Sequence, residues 1–179
     1  MKDKDIEELK EKYTPIIKQI IDENQKFYNM KYSIEFDFFE NDDIAVRGVS
    51  RNGKICLNII SFDYAYKINQ PLQNELFILH EIRHLYQRWF ILECKENNKN
   101  NEQANQWDYE FHNYIDMNKS LELYYGQYTE FDAFCYSYAV MQYKYGKIDY
   151  IELPKYYENN EGFHFMMNKW IEIFNNQKL

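Results

Sequence analysis

Three cysteines are all the chain has. Cys56, Cys94 and Cys135 are odd in number and show no C-x-x-C spacing, so free thiols in a reducing compartment are expected rather than a disulfide framework. Positive charge is also short. Twenty-one Lys and Arg against 29 Asp and Glu leave a formal net charge of -8, which gives no general electrostatic attraction to nucleic acid or to an anionic membrane. No apolar run approaches the length of a membrane span, and the stretch Met1 to Glu8 lacks the apolar core of a signal peptide. Internal repeats and a convincing domain boundary are missing as well. These absences predict a cytoplasmic protein, with residues 1–179 forming a single domain large enough for a sizeable core. Aromatic residues are plentiful at 19%, 18 of them tyrosine, which suits a core and groove lined by rings with polar tips.

The apolar pattern divides the chain into elements. Ile6, Leu9 and Tyr13, then Ile16, Ile17, Ile20, Ile21 and Phe27, mark one kinked helix or two short ones reaching about Tyr28, with Thr14-Pro15 as a cap and first turn. Tyr32, Ile34, Phe36 and Phe38 alternate with polar residues as in a half-buried strand. Ile44 to Ser50 reads as a second strand with Gly48 as a bulge. Asn52-Gly53 turns it into a third strand carrying Ile55, Leu57 and Ile59. A small antiparallel sheet is thus expected, followed by a helical turn at Phe62 to Tyr66. Cys94 to Gln106 is polar and Asn-rich and reads as an exposed mobile loop, with a short helix after it around Trp107 to Met117. A helix is expected from about Thr129, capped by that residue with Asp132 as an approximate capping-box partner. Asp149 to Pro154 reads as irregular, and Gly162 opens a last amphipathic helix.

Between the strands and the polar loop lies Phe77-Ile78-Leu79-His80-Glu81-Ile82-Arg83-His84-Leu85-Tyr86-Gln87. Leu76, Phe77, Leu79, Ile82, Leu85, Tyr86, Trp89 and Phe90 recur at steps of three and four, with no Gly or Pro among them. The pattern predicts a long, mostly buried helix from about Pro71 or Gln73 to about Glu93. On such a helix His80 and His84 share a face one turn apart. H-E-x-x-H on a helix is a zinc signature in which the two imidazoles bind the ion and the glutamate acts as general base. Placing two histidines and a glutamate inside an apolar helix is costly unless the site uses them.

Two histidines leave a catalytic zinc one protein ligand short. The metzincin continuation fails, because Leu85-Tyr86-Gln87-Arg88-Trp89-Phe90 supplies neither the glycine nor the third histidine. Glu130, Asp132, His112 and, remotely, His164 remain as third ligands. Glu130-Phe131-Asp132-Ala133 resembles the second motif of gluzincins, where a helix brings a glutamate to the zinc and a small residue follows three positions later. Many gluzincins have an aspartate after that small residue, and this chain has Phe134. From about Ser33 to Val140 the chain resembles the compact gluzincins, or minigluzincins, that include ImmA/IrrE-type peptidases. His112 as ligand would instead resemble histidine-ligated proteins of the SprT type.

The gluzincin resemblance implies a zincin-like α+β fold in which a small antiparallel sheet packs on the H-E-x-x-H helix. It implies Zn2+ held by His80, His84 and Glu130, with Glu81 as base. It also implies an edge strand, by position Lys54 to Ile60, that holds an extended peptide by main-chain pairing, and an oxyanion donor for which Tyr124, Tyr125 and Tyr128 are candidates. Arg83 is expected to face a carboxylate such as Asp132. The function expected is a zinc metallopeptidase acting on a protein or peptide. A zinc-binding regulatory or interaction protein of phage or plasmid type, without protease activity, is the rival from another class, and an amidase on a non-peptide substrate is a third.

Overall fold

The computed structural model describes residues 3–27 and 33–177. The expectations at Tyr28 and Tyr32 lie outside the described residues. The fold is α+β, with a three-stranded mixed sheet among the described residues. The chain divides into two compact units, Met1–Ile82 and Arg83–Leu179, and the division falls inside one continuous helix, α3 (Leu72–Glu96).

In the first unit, α1 (Asp3–Asn24) is one continuous helix with Pro15 inside it. Thr14 does not cap it; its hydroxyl donates back to the Lys10 carbonyl at 2.7 Å. Ile6, Tyr13, Ile17 and Ile21 form its buried face, a stripe at helical spacing. The sheet contains β1 (Glu35–Phe39), β2 (Gly48–Arg51) and β3 (Lys54–Asn58) in the order β1-β3-β2. Asn52 and Gly53 have φ of 51° and 76° and close the β2–β3 hairpin with Arg51 opposite Lys54, the two positive values a tight type I′ connection demands.

The sheet is not antiparallel throughout. β1 runs parallel to β3, with Glu35 opposite Lys54 and Phe39 opposite Asn58. The cause lies in Asn58. Its side-chain amide donates to the carbonyls of Asn41 (2.9 Å) and Val46 (2.7 Å), and its backbone N–H donates to Arg47 (2.8 Å). Residues 40–47, half of them expected as strand, are thereby gathered into a loop around the end of β3. That loop carries the chain past β3, so β2 pairs on its far side. β3 is therefore central, not an edge, and both its sides are paired. An incoming peptide cannot add to it, which overturns the assignment of Lys54 to Ile60 as the substrate-holding strand. Residues 59 and 60 already belong to α2 (Ile59–Lys67), a full helix where a single turn was expected. Gly48 does not mark a bulge, since the ladder is regular there. A Cβ at that position would collide with the Cys56 carbonyl and come within 2.9 Å of the Phe77 ring on α3.

The first half of α3 is tied to its neighbours through polar groups. Asn74 donates to the Phe62 carbonyl at 2.9 Å, and Asn24 at the end of α1 donates to Glu75 at 3.1 Å. Beneath them the Tyr13 hydroxyl donates to buried Asp63 at 2.7 Å, and Lys67 lies 2.6 Å from the same carboxylate.

The second unit holds the rest of α3 with α4 (Glu102–His112), α5 (Leu121–Gly126), α6 (Tyr128–Tyr145), α7 (Lys155–Glu158) and α8 (Glu161–Gln177). The stretch expected as a mobile loop is mostly helix. α3 continues to Glu96, and Asn101 caps α4 by accepting from the Ala104 N–H at 3.0 Å. Polarity misled there because only Ala104 and Trp107 of α4 are buried, against Ile91 and Cys94 of α3. α6 packs on α8, with Tyr136 edge-on to Trp170 at 4.9 Å and Phe131 edge-on to Phe163 at 5.6 Å. The three cysteines are free thiols, and burial pushes that of Cys135 up to about 12. No helix among the described residues is long and apolar enough to cross a membrane.

Burial works against ionisation of Asp63, yet Lys67 and Tyr13 hold its carboxyl below the usual carboxylate range. Its contribution is then full above the unfolded-chain value, about 3.9, and is lost as pH falls through the lower folded value. Asp63→Asn should cost about 1–3 kcal/mol at pH 7. In urea titrations the gap from wild type should close as the pH drops through that window.

Candidate metal centre

α3 places His80 and His84 one helical turn apart on a single face. Both are buried, and the His80 ring lies nearly parallel to Phe77 while His84 meets Phe111 edge-on. Within the second unit, the first turn of α6 brings Glu130 to His84, with Oε1 3.3 Å from Nε2. Ligand atoms of His80, His84 and Glu130 all lie within 4.8 Å of one another, and the three residues are buried. Glu81 is equally buried but does not belong to this group.

The start of α6 differs from expectation. The helix begins at Tyr128 with Gln127 as its cap residue, so Thr129 lies inside the first turn. The Thr129 N–H is satisfied from another helix, by Glu110 of α4 at 2.8 Å. Gln127 accepts from the Ile115 N–H and donates to its carbonyl, at 2.8 and 3.0 Å. This frees the third helical residue, Glu130, to point at His84 rather than into a cap. Beside it the Tyr114 hydroxyl donates to Glu130 Oε1 at 2.8 Å.

The other residues considered as third ligand are held elsewhere. Asp132 accepts from Arg83 twice, at 2.8 and 3.1 Å, the pairing expected from the sequence. Burial opposes the Arg83 charge, but Asp132 outweighs it and raises the guanidinium above its ordinary value. His112 is exposed and turned toward Asp108, and His164 is 2.8 Å from the Glu158 carbonyl. Of the tyrosines singled out, Tyr125 packs on Phe134 and Tyr157, Tyr124 packs on Tyr114, and Tyr128 is exposed beside Phe131.

Three hydrogen-bond partners of the site went unseen in the sequence. Gln87 lies 2.9 Å from His84 Nδ1 and also donates to Thr129 O and Asp132 Oδ2. Its spacing, three residues after His84 on the same helix, was a usable signal. Tyr114 and Glu110 reach α6 across long stretches of chain, and nothing local marks them.

Two imidazoles and a carboxylate, buried with donor atoms converging, form a group that could hold a metal ion. The chemistry fits: neutral imidazole and carboxylate are ligands for zinc and for other first-row divalent ions, and a cation offsets the cost of burying Glu130. Comparison with protein-family models, curated proteins and solved structures finds no match to this chain.

Glu130→Gln should release metal while the fold persists. Asp132→Asn should instead destabilise the protein, by about 3–5 kcal/mol, since it strips the partner from buried Arg83. Elemental analysis beside thermal unfolding separates the two. Metal lost with Asp132→Asn but kept with Glu130→Gln would contradict the ligand assignment.

Proposed function

We propose that the protein is a zinc-dependent metallopeptidase of the compact gluzincin type, hydrolysing a peptide bond in a protein or peptide. The observation that carries the reading is the gathering of His80, His84 and Glu130 into one buried group while Glu81, inside the same H-E-x-x-H, stays out of it. A purely structural zinc site uses four protein ligands and has no use for a base.

In this proposal His80, His84 and Glu130 hold Zn2+, which when bound polarises the substrate carbonyl and acidifies water. The Glu81 carboxylate takes a proton from the attacking water and returns it to the leaving amine. Tyr114, already donating to Glu130, holds that carboxylate in place. Main-chain pairing with an extended substrate would use β1 or β2, the edges of the sheet among the described residues.

Glu81→Gln keeps the size of the side chain and removes its basicity. Zinc content and folding should stay near normal while turnover falls by about 10²–10⁴-fold. Host-cell lysate incubated with wild type or Glu81→Gln, followed by mass spectrometry of new protein termini, provides the assay without a known substrate. Cleavages seen with wild type alone would support the peptidase. Zinc bound, but identical termini across several lysates, would favour a regulatory zinc protein.

A further inference from the structure

Gln87 is completely buried, and each of its side-chain polar atoms has a partner. Its Nε2 donates to the Asp132 carboxylate at 2.8 Å and to the Thr129 carbonyl at 3.0 Å. Both partners can only accept, so the amide cannot be turned over without setting its oxygen against two others. Oε1 is therefore the atom that faces His84 Nδ1 at 2.9 Å. An oxygen there requires a hydrogen on Nδ1, and a neutral imidazole carries one N–H. In that neutral form Nε2 is the nitrogen left to bind a metal ion, and it lies 3.3 Å from Glu130 Oε1. A cation shared between the two, a proton or a metal ion, satisfies both.

We propose that Gln87 is a positioning residue for His84, fixing the Nδ1–H tautomer and aiming Nε2 at Glu130, with the Arg83–Asp132 pair fixing Gln87 in turn. This rests on the reading of His84 as a metal ligand. Arg83 is a rigid anchor for the relay. Its guanidinium lies 4.5 Å from the ring centres of both Tyr86 and Tyr136 and 5.1 Å from Trp170. Asp132 Oδ2 accepts from Arg83 Nε and from Gln87 Nε2, so the carboxylate cannot swing without breaking both. A glutamine passes this orientation on to the imidazole without placing a second anion beside Asp132. Groups that hold the far nitrogen of a ligating histidine generally change metal affinity about 10–100-fold when removed.

The test compares wild type with Gln87→Met, which has similar length and no amide. The His84 ring nitrogens are read by ¹⁵N NMR in metal-free protein, and zinc affinity by competition with a chromogenic chelator. Wild type should show a protonated Nδ1. Gln87→Met should shift toward the Nε2–H tautomer and bind zinc about 10–100-fold more weakly. Should Gln87→Met not fold, Gln87→Ala gives the same reading. An unprotonated Nδ1 in wild type, or unchanged tautomer and affinity in a folded Gln87→Met, overturns the proposal. Because the tautomer is read without metal, failure of the metal centre shows separately: no zinc bound by wild type, with the tautomer still set by Gln87.

Discussion

Burying a carboxylate costs free energy unless an opposite charge or hydrogen bonds meet it, and the first turn of α6 buries two. Asp132 is met by Arg83, whose own charge is enclosed by aromatic rings. Glu130 is met by His84 and the Tyr114 hydroxyl, and with the two imidazoles it forms the group that could hold a metal ion. Two residues apart, these acids have opposite tasks. One locks the α6 turn to α3 and the other faces the imidazoles. The internal pair is a poor source of net stability, because desolvation consumes most of its attraction. Its effect is to fix geometry, since the turn that carries Asp132 also carries Glu130.

The part of this arrangement most legible in the sequence was the part set by local spacing. Helical periodicity placed α3 within a few residues of its observed ends, and the four-residue step of His80 and His84 followed from it. Asn52-Gly53 announced its turn because few residues accept two consecutive positive φ values. Glu130 and the Arg83–Asp132 pair were reached through resemblance to a known motif rather than through periodicity. What local pattern could not show was pairing over distance. The parallel partnership of β1 with β3 depends on Asn58 collecting a loop around itself, and a single polar residue in a strand gives no notice of that. The alternation in Ile44 to Ser50 resembled a longer strand, yet its first half serves the loop.

Polarity misled in two ways. Residues 94–106 are polar enough for a loop, but a helix needs only one narrow apolar stripe to dock, and Ala104 with Trp107 supplies it for α4. Thr129 had the composition of a cap, but Glu110 from α4 takes that role across space. Both substitutions bear on the site, since α4 and the loop after it deliver Glu110 and Tyr114 to the α6 turn that presents Glu130.

The central proposal is that the group of His80, His84 and Glu130, which could hold a metal ion, holds zinc. X-ray absorption at the zinc K edge of the loaded protein tests it most directly. The account predicts nitrogen and oxygen neighbours at about 2.0–2.1 Å, with outer scattering from two imidazole rings. A sulfur neighbour at about 2.3 Å, or an all-oxygen shell without imidazole scattering, would contradict it.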